Sequence, residues 1–70
     1  MKISEAVEKA LTEGRCITPK EHEGWIKIKP TNDAAQGNCI LMGADGSNPS
    51  KHGWQPSADD LMRDDWIVVD

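Results

Sequence analysis

The chain has no tyrosine and no phenylalanine, so three tryptophans are its whole aromatic content. It is short of basic residues, with 8 Lys and Arg against 12 Asp and Glu and a net charge of −4. An acidic surface repels a phosphate backbone, which argues against binding DNA or RNA. A small phosphorylated ligand stays compatible, since two or three basic groups or backbone amides can hold it locally. No stretch is apolar for long enough to span a membrane. Residues 1–5 carry one lysine with no apolar run behind it, so a leader is not expected. In the reducing cytoplasm that follows, the two cysteines, Cys16 and Cys39, read as small buried hydrophobes. No two of Cys16, His22, Cys39 and His52 stand at a CxxC or HxxxH spacing, so a zinc site is not expected. Gly43-Ala44-Asp45-Gly46 matches neither a Walker loop nor a dinucleotide fingerprint. No Ser-His-Asp or Cys-His pairing has a recognisable local context. The acid pairs Asp59-Asp60 and Asp64-Asp65 could be imagined as general acid and base, but read more simply as a helix cap and a solvated rim. These absences point away from an enzyme and from any cofactor.

Seventy residues make one domain, spanning 1–70. A chain of this size buries only roughly 60% of the surface its unfolded form exposes, and such domains usually add a staple. With disulfides and metal set aside, oligomerisation is the staple that remains.

The elements are legible in order. Apolar residues at Ile3, Val7, Ala10 and Leu11 have helical spacing, and Ser4 is a good N-cap. Glu5 suits the first turn, and Gly14 can take the left-handed cap, so a helix is predicted over residues 4–13. Residues 15–18 form a short β-like stretch ended by Pro19, and residues 20–24 a polar turn. Residues 25–29 alternate strictly, with Ile26 and Ile28 on one side and Trp25, Lys27 and Lys29 on the other. Residues 31–37 make a polar loop, and residues 38–42 a second strand, buried on both faces if Ile40 through Met42 are all inside. Ala44-Asp45-Gly46 signals a turn, and residues 47–53 a further loop. Ser57-Ala58-Asp59-Asp60 resembles a capping box before a short helix with Leu61 and Met62. Trp66-Ile67-Val68-Val69 is a final strand. The fold class is α+β: a small antiparallel sheet packed by one N-terminal helix, with a short second helix before the last strand.

Trp66 opens an apolar strand and reads as core. Trp25 shares its strand face with two lysines, so it either stacks a base while the cations meet phosphates, or covers a sheet edge or subunit interface. Trp54, between a Gly-containing loop and Pro56, is either a pocket wall or a lid over the core.

The closing run Trp54-Gln55-Pro56, then Asp60-Leu61, then Asp65-Trp66 and an apolar strand resembles the end of a family of small phage proteins, the second type of Thoeris anti-defence protein. The opening is similar too: the helix Glu5-Ala6-Val7-Glu8-Lys9-Ala10-Leu11, then Gly14 and Ile17-Thr18. The resemblance implies a homotetrameric sponge in the cytoplasm of the infected host, which sequesters a cyclic ADP-ribose signal, or cyclic oligonucleotide signals, without degrading it. Under that implication, Trp25 and Trp54 are the stacking candidates. Arg15, Lys20 and Lys27 are phosphate candidates, and Asn32, Gln55 and Asp60 are candidates for ribose or base hydrogen bonds. The chain departs from the family at Pro19-Lys20-Glu21-His22, where members often carry a basic pair and then a tryptophan. Lys20 keeps one charge and His22 takes the aromatic place, which puts ligand choice in the stretch before Trp25. A different class of function is a protein-interaction module, in which the acids Asp59, Asp60, Asp64 and Asp65 dock a basic host or phage protein.

Overall fold

A computed structural model describes residues 1–33, 35, 38–50 and 53–70. The predicted polar loop at 31–37 and the loop at 47–53 fall partly outside these residues, as does His52 of the weighed Cys/His set. The order of elements is α1 (Ile3–Glu13), β1 (Cys16–Pro19), β2 (Ile26–Pro30), β3 (Cys39–Gly43), α2 (Ala58–Met62) and β4 (Trp66–Val69). A single 3-10 turn, Lys20–His22, joins β1 to β2.

The N-terminal helix begins one residue before its predicted start. Lys2, not Ser4, holds the capping position, and the Glu5 carboxylate accepts from the Lys2 backbone N–H at 3.1 Å. Ile3 is thereby drawn into the helix and packs against the core. At the other end Gly14 sits at φ 67°, and its N–H closes on the Ala10 carbonyl. A residue without a Cβ adopts that left-handed cap at little cost.

The four strands lie in the order β3-β2-β1-β4, all antiparallel. Ile17 faces Ile28 on one side and Val68 on the other, and Ile28 faces Leu41. Paired residues share a face, so these four make one apolar row across the sheet. α1 lies on that row through Ala6 and Ala10, whose small side chains let the helix approach closely. Ile17, Ile28 and Trp66 are fully buried there. Each such side chain contributes about 1.5–3 kcal/mol relative to exposure.

The opposite face carries no helix. Alternation from the same register puts Cys16, Thr18, Lys27, Lys29, Ile40, Met42, Ile67 and Val69 on it. The Lys27 side chain crosses this face over β1, and its Nζ donates to the Asp70 carbonyl at 2.9 Å. Cys16 and Thr18, on the strand beneath that path, are buried. Ile40, Met42, Ile67 and Val69 stay half-buried.

The strand at Cys39–Gly43 departs from expectation. It is a sheet edge, and all five residues are half-buried rather than enclosed on both faces. Its outer side is partly met by the returning chain: Ser50 N–H donates to the Leu41 carbonyl at 2.8 Å, and Trp54 N–H to the Cys39 carbonyl at 2.7 Å. Such bonds cover an edge that would otherwise be open to another strand. Among the described residues, no helix is long and apolar enough to cross a membrane.

Candidate functional site

The one tryptophan that is mostly exposed is Trp25, at 67%. It stands one residue before β2, where Gly24 at φ 85° lets the chain leave the 3-10 turn. Its N–H donates to the His22 carbonyl at 3.0 Å, and its carbonyl accepts from Ala44 N–H at 3.0 Å. The indole therefore sits on a doubly tied backbone. The His22 ring meets it edge to face, with centroids 5.2 Å apart.

Across from it is the turn that follows β3. Gly43 N–H donates to the Ser47 carbonyl at 2.8 Å, and Gly46 N–H to the Gly43 carbonyl at 2.8 Å. The Asp45 carboxylate accepts from Ser47 N–H at 3.0 Å, the Asx arrangement that favours this residue in a turn. Hydrogen bonds from the Ser47 side chain and backbone hold the Asp45 carboxyl below the ordinary aspartate range. A Cβ on Gly43 would fall 2.5 Å from Ser47 Oγ, so a larger residue there displaces the Ser47 hydroxyl. Between Trp25 and this turn lies an open groove of about 510 Å³, lined by Gly24, Trp25, Gly43, Ala44, Asp45 and Ser47.

The other site candidates do not gather here. Lys20 is exposed at the start of the 3-10 turn, and its backbone N–H donates to the Asp65 carbonyl at 2.9 Å. Lys27 Nζ donates to the Asp70 carbonyl, while its charge also acts on Asp45. Arg15 and Asn32 lie toward the far end of the sheet, roughly 20 Å along β2 from Trp25. Arg15 pairs with Glu13 at 3.0 Å and Asp70 at 3.2 Å, and lines a second groove of about 360 Å³ with Lys29, Thr31 and Asp33. Asn32 adopts φ 54°, a left-handed position that asparagine tolerates, and its N–H donates to the Asn38 carbonyl at 3.1 Å.

Trp54 packs on the helix side of the sheet. Its ring meets Trp66 edge to face at 5.7 Å; Trp66 belongs to the core, and the half-buried Trp54 packs against it. Gln55 is exposed beside it. The Asp60 carboxylate accepts from Ser57 N–H at 2.9 Å, while Ser57 Oγ accepts from Asp60 N–H at 3.1 Å. This is the reciprocal box anticipated in the sequence. The Asp60 carbonyl also accepts from Trp66 Nε1 at 3.0 Å, so α2 is pinned to the core.

Of the acids weighed for catalysis or docking, Asp60 is thus in a cap and Asp65 in an ion pair. Arg63 Nε donates to Asp65 at 2.6 Å, and the same guanidinium pairs with Glu21 of the 3-10 turn. These bonds hold the Asp65 carboxyl below its ordinary range and raise that of Arg63. They also fasten the 3-10 turn, and with it His22, to the segment ahead of β4. Cys16 is buried and Cys39 half-buried, both as free thiols. Among the described residues, no three potential metal ligands cluster.

In the sequence Ala44-Asp45-Gly46 reads only as a turn and Ser47 as the start of a loop. The pairing Ile26↔Gly43 brings that turn opposite Trp25, and no local signal specifies it.

What these observations define is a small α+β domain with an aromatic groove at one end of its sheet. The chain belongs to the Thoeris anti-defense 2-like domain family, whose model matches residues 1–69. Its role is accordingly one in anti-defence. No curated protein and no solved structure matches the chain.

Proposed function

We propose that this protein is a sponge. It binds a cyclic nucleotide immune signal, a cyclic ADP-ribose isomer of the Thoeris type or a cyclic oligonucleotide, and holds it unaltered in the cytoplasm of the infected host. The family match over residues 1–69 carries this reading. The exposed indole of Trp25 supports it, because a base stacks on such a face irrespective of its sequence identity. The proposal includes no catalytic residue.

The sponge works as a homo-oligomer, a tetramer by family resemblance. Within one copy the aromatic groove and the Arg15 and Lys29 groove lie toward opposite ends of the sheet. A ligand that meets a stacking ring and several cations at once then draws on more than one copy. The half-buried apolar residues Ile40, Met42, Ile67 and Val69 offer surface for such association.

The test is calorimetry of the purified protein with a cyclic ADP-ribose isomer and with a cyclic dinucleotide, followed by denaturation and mass spectrometry of the released ligand. Binding with intact recovery is expected. No binding of either at micromolar protein sinks the sponge, and recovery of an altered ligand makes the protein an enzyme.

A protein-docking role is the second reading, and one observation favours it. Leu61 and Met62 are 52% and 74% exposed on α2, next to the exposed acids Asp59 and Asp64. A basic partner would suit that surface. Its signature is a chain whose tryptophan emission responds to no nucleotide.

A further inference from the structure

We infer that the Trp25 groove receives the uncharged sugar and base end of its ligand and turns phosphate away, with Asp45 selecting for ribose hydroxyls. This rests on the nucleotide-sponge reading and specifies which part of the ligand each end of the sheet can take.

The lining carries the argument. One wall is a flat indole, able to lie against a base or the C–H face of a sugar. The other is Asp45 and Ser47 on a hydrogen-bonded turn. Among the described residues, no Lys, Arg or His lines the groove. An ionised carboxylate only accepts hydrogen bonds, and its two oxygens offer about four acceptor positions. The bonds from Ser47 fix the group in place and leave acceptor capacity over. Hydroxyls supply the donors that such a group requires, whereas a phosphate brings a like charge and acceptors only. The turn is rigid before any ligand arrives, since Gly43, Gly46 and Ser47 are already bonded within it. Little ordering remains to oppose binding. Lys27 is the cation of the neighbouring strand position; its charge acts on Asp45, but its Nζ donates to the Asp70 carbonyl and it does not line the groove.

The three tryptophans give a direct readout, because each indole N–H yields its own resonance in a nitrogen-labelled sample. The protein is titrated with cyclic ADP-ribose, adenosine, 2′,3′-dideoxyadenosine and pyrophosphate. Cyclic ADP-ribose and adenosine are expected to shift the Trp25 indole while those of Trp54 and Trp66 stay in place. Dideoxyadenosine should bind about tenfold more weakly than adenosine, the loss that goes with a charged acceptor left unpaired. Pyrophosphate should leave Trp25 unmoved. The variant Asp45→Asn retains an oxygen for the Ser47 N–H, so the turn survives. In it the preference for adenosine over dideoxyadenosine should shrink toward parity.

A Trp25 shift caused by pyrophosphate overturns the assignment, and so does equal binding of the two nucleosides. The two levels separate cleanly. If cyclic ADP-ribose binds without moving Trp25, the groove assignment fails and the sponge stands. If adenosine shows the hydroxyl-dependent shift but no cyclic nucleotide binds, the groove stands and the sponge fails.

Discussion

Two ends of this molecule use tryptophan in opposite ways. On the helix side of the sheet, Trp66 is fully buried, met edge to face by Trp54 and tied through Nε1 to the Asp60 carbonyl. At the other end Trp25 exposes two-thirds of its surface, with the His22 ring meeting it edge to face. A chain this small has few large apolar side chains to build a core. Leaving one of them outside forgoes about 1.5–3 kcal/mol of burial. The backbone beneath Trp25 is nonetheless fixed at both ends, so the ring is presented rather than merely left over. The first region has its polar atoms satisfied and its apolar surface covered. The second has a firm frame around an uncovered face.

That contrast can be broken by substitution. Trp66→Ala removes the largest buried side chain and orphans the Asp60 carbonyl. A loss of about 3–5 kcal/mol is expected, most of what a small domain has. Urea denaturation would show a chain largely unfolded in buffer; a near-native midpoint would mean the helix side is not the core. Trp25→Ala should behave in the reverse way. Its stability should stay within about 0.5 kcal/mol of the parent, while binding of a cyclic nucleotide weakens by about tenfold or more, the usual worth of a stacked base. Calorimetry reads the binding and denaturation the stability, so unaltered affinity would remove Trp25 from the site.

A smaller effect tests how α2 is held. Ser57→Ala deletes the hydroxyl that accepts from Asp60 N–H, and should cost about 1 kcal/mol in the denaturation midpoint. The smallest effect is electrostatic. The folded state lowers the Asp65 carboxyl below its ordinary value, so its contribution to stability is present above that value. It fades as pH falls through the ordinary aspartate range of about 3.8 and below. The pair is half-buried and still reached by solvent, which keeps the effect modest. Thermal melts of the parent and of Asp65→Asn should therefore differ near neutral pH and converge in acid. A gap that widened on acidification would contradict the Arg63–Asp65 pairing.

How much of this was legible beforehand depended on how local the cause was. The periodicity of Val7, Ala10 and Leu11 produced α1, and alternation at Ile26 and Ile28 produced β2, because each pattern is made within a few residues. The Ser57 and Asp60 box closes within one turn and was readable for the same reason. The start of α1 was misplaced by one residue because Glu5 caps Lys2 rather than following a Ser4 cap. The strand at Cys39–Gly43 was expected to be enclosed because its residues are apolar. Apolarity alone does not distinguish a central strand from an edge. The site was read least fully. Trp25 was visible as an aromatic among lysines, yet its real neighbours, Ala44, Asp45 and Ser47, come from a turn about twenty residues further on.

The sequence by itself determined where helix and strands form, which faces are apolar, and that few cations are available for phosphate. It also determined family, through residues matched along nearly the whole chain. Only the tertiary structure decided which tryptophan is spent on packing and which is offered to solvent. Alternation assigns a side chain to one of two faces but does not say which face a helix will cover. That choice followed from the pairing of β1 with β4 and from α1 settling on the row through Ile17 and Ile28. With Trp66 enclosed on that row and Trp54 packed half-buried against it, Trp25 is left to face the turn at residues 43–47, where the groove lies.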